Sequence, residues 1–224
     1  SPWLVACTLL TGAVMLLIFV RIQLRARVPM IDMRLFCHRI ILSGVVMAMT
    51  AMIALVGFEL LMAQELQFVH GFTPFEAGMF MLPVMVASGF SGPIAGVLVG
   101  RLGLRIVAAG GMGLSAVSFI GLSMLDFSTQ QWQAWSLMVL LGFSAASALL
   151  ASTSAIMAAA PKEKAAAAGA IETMSYELGA GLGIAIFGVL LASSYSGALR
   201  IPADLAQSLP ESAGHSIGET MFAA

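Results

Sequence analysis

Long apolar runs alternate along this chain with short polar connections. Runs at Trp3–Val20, Ile40–Ala63, Phe75–Val99, Leu104–Leu125, Trp132–Ala158 and Ala165–Ser193 come close to or exceed the roughly 20 residues a helix needs to cross a hydrocarbon core. They are continuous and do not alternate apolar with polar, which predicts helices rather than barrel strands. The expected fold is all-α: a polytopic membrane helical bundle of about six transmembrane helices over residues 1–193. After Ser193 the character changes. Residues 194–224 carry Arg200, Asp204, Glu211, His215 and Glu219 with Pro202 and Pro210. They predict a polar periplasmic loop, cut short, with Ser216–Ala224 opening a short amphipathic helix.

Composition supports the same class. Of 224 residues, 60% are hydrophobic and 9% charged, with a mean hydropathy of +1.00. Soluble domains carry about 25% charge. The net charge of −1 says little about partners, but the placement of charge says more. Arg21, Arg25, Arg27, Arg34 and Arg39 fill the first connection, Arg101 and Arg105 the third, and Lys162 and Lys164 the fifth. The second and fourth hold Gln64, Glu65, Asp126 and Gln131 instead. The positive-inside rule makes the basic side cytoplasmic and both chain ends extracytoplasmic. Trp3, Trp132, Trp135 and Tyr195 fall at the opposite ends of their spans, where an interfacial aromatic belt sits. The arginine cluster reads as a topology anchor that also meets anionic membrane lipid. Cys7 and Cys37 suggest neither a disulfide nor a metal site. The chain opens on Ser1 and an immediate apolar run, as a piece of a longer polypeptide would.

Small residues set the expected packing. Gly96 with Gly100, and Gly179 with Gly183, have the four-residue spacing that lets helix backbones approach closely in lipid. The third span also holds Pro83, Gly89, Gly92 and Pro93, which predict a kink or a loosened turn. Close packing and a hinge are both open readings.

The candidate chemistry lies in carboxylates inside the spans. A charged side chain at the bilayer centre costs about 2.5–3.5 kcal/mol on insertion scales. Glu177 falls near the middle of the sixth span and Glu172 five positions earlier, about 140° around a helix. Glu172 shares its face with Tyr176 and Gly179; Glu177 shares its face with Thr173, Met174 and Gly181. Glu59 lies in the outer third of the second span. Each is a candidate proton or cation site. The alternatives are a protonated carboxyl bonded to a neighbouring helix for Glu177, a lysine pair for Glu172, and contact with external water for Glu59. Methionines such as Met52 and Met174, with Phe58 and Tyr176, are candidate pocket residues for bulky organic cations. No nucleotide-binding loop, metal-ligand spacing or nucleophile–base pair is present, so no ATP-driven pump, cofactor, metal centre, enzyme or nucleic-acid partner is expected.

The third connection, Gly96-Val-Leu-Val-Gly100-Arg101-Leu-Gly103-Leu-Arg105, resembles the cytoplasmic loop signature of the major facilitator superfamily at Gly96, Arg101, Gly103 and Arg105. Gly100 stands where the family has an acid, so the latch that acid makes is not expected. Pro29–Phe36, Gly71–Gly78 and Glu177–Gly183 are similar to the fourteen-span drug:proton antiporter branch. The resemblance implies a carboxy-terminal part of a bacterial inner-membrane exporter, with an amino-terminal half missing. It implies proton-coupled efflux of cationic drugs and biocides, including quaternary ammonium compounds, methyl viologen and dyes, by alternating access. A self-contained six-span scaffold or channel subunit is the competing reading.

Overall fold

A computed structural model describes residues 2–25, 33–125 and 130–198 of the chain. Six long helices account for nearly all of them: α1 (Pro2–Arg25), α2 (Arg39–Gln64), α3 (Pro74–Leu102), α4 (Leu104–Ser123), α5 (Gln131–Ala159) and α6 (Ala165–Ala198). All six are long and apolar enough to cross a membrane. The predicted spans are therefore present, mostly extended by a few residues. The first residues of the expected external loop, 194–198, instead continue α6; Arg200, Asp204 and the remainder, with the helix expected from Ser216, lie outside the described residues.

Local sequence explains where the helices begin and stop. Thr73 caps α3 with a reciprocal pair: its hydroxyl accepts from the Glu76 N–H at 3.3 Å, and the Glu76 carboxylate accepts from the Thr73 N–H at 2.8 Å. Pro74 follows at the first helical position, where its missing N–H costs nothing. One residue, Gly103, separates α3 from α4. It has φ +86° and ψ 154°, a region open essentially to glycine alone. The signature glycine thus makes the tight turn. α2 does not stop at Gln64 but runs into a π-helical turn over Glu65–Val69.

The centre of the bundle is α5, whose interior positions are mostly alanine, serine and glycine. Half of its most apolar window is buried. α3 and α4 pack along it, and α2 crosses it on another side. Each seam carries a hydroxyl bond: Ser88 to the Gly142 carbonyl at 3.2 Å, Ser115 with Ser144 at 2.9 Å, and Ser152 to the Gly44 carbonyl at 2.7 Å. Such bonds satisfy polar groups that lipid cannot. α6 lies along α2 over most of its length and touches α5 only sparingly. α1 is exposed along nearly its whole length, with Gln23 buried near its end.

The glycine pairs separate. Gly179 and Gly183 face the α2 backbone; an added Cβ would sit 2.9 Å from the Met49 carbonyl oxygen and 2.8 Å from that of Ile53. Gly96 and Gly100 have nothing within 4 Å of that position, so the close approach expected there does not occur among the described residues. Two apolar clusters complete the core. One, at the Trp132 end, gathers Phe58, Met62, Leu66, Phe80, Met138 and Leu141. The other, at the Lys162 end, gathers Leu35, Ile41, Val45, Ile156 and Ile171.

Candidate functional site

The two intramembrane carboxylates of α6 sit in opposite settings. Glu172, half-buried, turns toward α5. Its Oε1 accepts hydrogen bonds from the Thr153 hydroxyl across the seam and from the Tyr176 hydroxyl, one turn along α6, at 3.0 Å. The two hydroxyl oxygens are 2.8 Å apart. Both also reach the Leu149 carbonyl, Thr153 at 3.1 Å and Tyr176 at 3.4 Å. Thr153, Glu172, Tyr176 and the Leu149 carbonyl therefore form one polar knot between two helices. The shared face expected for Glu172 and Tyr176 is real, and a hydroxyl pair takes the role that the sequence reading considered for a lysine.

Glu177 lies two residues, and so about 200° around the helix, from both Ser175 and Gly179, which are buried. It is exposed on the open face of α6, and among the described residues no hydrogen bond or ion pair reaches it. Thr173, Met174 and Gly181 share that open side. The expected separation of the two carboxylates is what the helix produces. Glu59 is half-buried on α2, again with no hydrogen bond or ion pair among the described residues.

The candidate pocket residues do not converge. Met174 is on the open face of α6, Tyr176 is in the knot, and Met52 lies against Gly179 in the α2–α6 seam. Phe58 belongs to the core at the Trp132 end, where its ring meets Phe119 edge-on at 5.6 Å. Phe58 also lines a cavity of about 430 Å³ with Leu61, Met62, Glu65, Phe119 and Phe187, between α2, α4 and α6. The Glu65 carboxylate at this cavity lies 3.9 Å from His70. Gly96, Arg101, Gly103 and Arg105 cluster at the α3–α4 turn with both arginines exposed. No group of three or more potential metal ligands exists among the described residues.

Thr153 was not singled out in the sequence. The signal was there: Ser152-Thr153-Ser154 places three hydroxyls in succession inside an otherwise apolar span. A scan restricted to charged residues passes over them.

Residues 40–203 match the Major Facilitator Superfamily. The chain belongs to that superfamily. Among curated proteins it is 76% identical, over 99% of its length, to the methyl viologen resistance protein SmvA of Salmonella typhimurium. It is 34% identical over 85% of its length to the multidrug resistance protein Stp of Mycobacterium tuberculosis. It is 29% identical over 95% of its length to the multidrug efflux pump LfrA of Mycolicibacterium smegmatis. The chain spans 45%, 35% and 42% of these relatives. Its six long apolar helices make it a multi-pass membrane protein, and its superfamily is one of transporters rather than enzymes.

Proposed function

We propose that this chain is the carboxy-terminal bundle of a proton-coupled exporter of lipophilic organic cations in the bacterial inner membrane. An amino-terminal half completes the transporter, and the open face of α6 looks toward it. The basic connections lie in the cytoplasm and both ends of the chain in the periplasm. The substrates are cationic drugs and biocides, with methyl viologen and quaternary ammonium compounds among them. The 76% identity to a methyl viologen resistance protein supports that class.

The observation that carries the reading is the setting of Glu177, a carboxylate at the middle of a membrane helix, exposed and without a bonded partner among the described residues. An acid in that position marks a substrate path or a proton relay. A cation entering from the cytoplasm binds the ionised carboxylate. A periplasmic proton then takes the same oxygen, removes the attraction and releases the cation outside, as the two bundles rock about the central site. One negative charge cannot hold both at once, and that competition couples the two flows.

Ethidium efflux driven by an imposed proton gradient, in vesicles holding the protein as the cell makes it, tests this. Glu177→Gln should abolish gradient-driven efflux while the protein still inserts. Efflux and proton exchange equal to wild type would remove Glu177 from the mechanism. Efflux by wild type that ignores the gradient would reject proton coupling altogether.

A further inference from the structure

We propose that Thr153 and Tyr176 are positioning residues that keep the Glu172 carboxyl bonded in both of its protonation states, so that the α5–α6 seam stores a proton that Glu177 does not handle. This rests on the proton-coupled reading above.

The hydrogens of the knot find acceptors in each state. With Glu172 ionised, the knot holds two hydroxyl hydrogens, and both point at Oε1, from Thr153 and from Tyr176. With Glu172 protonated, the knot holds three. The carboxyl O–H then donates to the Thr153 oxygen. The Thr153 hydrogen turns to the Tyr176 oxygen at 2.8 Å, and the Tyr176 hydrogen turns to the Leu149 carbonyl at 3.4 Å. Every hydrogen has an acceptor in either state, and only rotations about C–O bonds separate the two. No helix need move to accept the proton. The step is a bare proton transfer: one O–H bond forms on the carboxylate, and the proton comes from water and returns to it.

What changes is the strength of the tie. Hydrogen bonds to an ionised group are roughly twice as strong as neutral ones. In the ionised state Thr153 makes such a bond across the seam. In the protonated state the seam is held by neutral bonds alone. α6 otherwise meets α5 only sparingly, its main packing being on α2. Proton load at Glu172 therefore adjusts how firmly α6 is held to the central helix.

The surroundings make Glu172 the group that answers. α5 carries no ionisable side chain over Gln131–Ala159, and α2 carries no acid or base between Arg39 and Glu59. The turn before α6 holds Lys162, Glu163 and Lys164 at the start of the helix. On α6 itself Glu177 looks the other way.

The test uses the protein as the cell makes it, reconstituted in liposomes, with ethidium transport measured across a pH series. Loss of one hydrogen bond to a charged group corresponds to about one pH unit or more. Thr153→Val and Tyr176→Phe should each displace the pH midpoint of transport by that amount, and Thr153→Ser should restore it. Tetraphenylphosphonium binding at alkaline pH should stay within about twofold of wild type. The infrared carboxyl band lost in Glu172→Gln should shift in Tyr176→Phe, a readout that needs no transport. Midpoints and band unmoved in both variants, with wild-type transport still driven by the gradient, would overturn the inference alone. Wild-type transport indifferent to the gradient would instead reject the reading beneath it.

Discussion

The α2–α6 seam makes the sharpest structural prediction. Gly179 presses its Cα against α2, where an added Cβ would lie 2.9 Å from the Met49 carbonyl oxygen, 2.9 Å from Met52 Cβ and 3.0 Å from Met49 Cα. Two of those three atoms are backbone and cannot swing aside. Gly179→Ala must therefore push two helices apart along a long contact. Overpacking of this kind costs about 1–3 kcal/mol. Alanine recovers about 0.5–1 kcal/mol through its better helix propensity. The net loss is about 0–2.5 kcal/mol. Gly181 is the internal control: it lies on the same helix, and nothing stands within 4 Å of its added Cβ. Gly181→Ala keeps the propensity gain alone, about 0.5–1 kcal/mol. Thermal unfolding of the purified protein in one detergent should rank the three proteins Gly181→Ala, wild type, Gly179→Ala, with about 2–4 °C per kcal/mol. Equal stability of the two variants would mean that α2 and α6 are not in backbone contact, and the seam as described would be wrong.

Other outcomes follow from single features. Gly103→Ala meets no atom within 4 Å, yet its φ of +86° strains any side chain; the α3–α4 turn should lose about 1–3 kcal/mol, read as a lower unfolding temperature. Ser152→Ala removes the 2.7 Å bond to the Gly44 carbonyl and should cost about 0.5–1.5 kcal/mol in the same assay. Thr73→Ala removes one half of the α3 capping box, a loss of about 0.5–2 kcal/mol that should appear first as faster amide exchange around residues 73–77. Cys37 is exposed beside the basic connection, so a membrane-impermeant maleimide should label it in intact cells only after permeabilisation; labelling without it would invert the orientation.

Helix existence was legible because a bilayer demands long apolar runs, and such runs have few other readings. The ends were less legible. α2 continues through Glu65 and Leu66 as a π-turn, since Leu66 finds a buried seat among Phe58, Met62 and Phe80, and tertiary packing of that kind leaves no mark in local hydropathy. The glycine pairs show the same limit. Four-residue spacing permits close approach, but among the described residues Gly179 and Gly183 have a partner helix opposite them while Gly96 and Gly100 do not, and the partner is not written in the pair. For the site, helical geometry separated Glu172 from Glu177 correctly. The setting of Tyr176 could not be read the same way, because a ring that can stack on a cation can equally donate its hydroxyl, and its partner Thr153 lies on another helix.

The arrangement of α6 ties these points together. A helix that must move as a unit needs one broad, firm contact and one weak, adjustable one. α6 has both: glycines pressed on the α2 backbone along one face, and the hydroxyl knot to α5 beside it. Glu177 projects from the opposite face. On the proposed mechanism, a cation arriving there would act on the same helix whose second contact the proton on Glu172 would govern. On that mechanism the two carboxylates need no shared hydrogen bond to communicate, because the four residues of helix between them would transmit a tilt. Glu172→Gln should then shift the pH dependence of transport while leaving cation binding nearly unchanged, whereas Glu177→Gln should lose both cation binding and gradient-driven transport. A pair of variants with the same profile would mean that both acids serve one exchange.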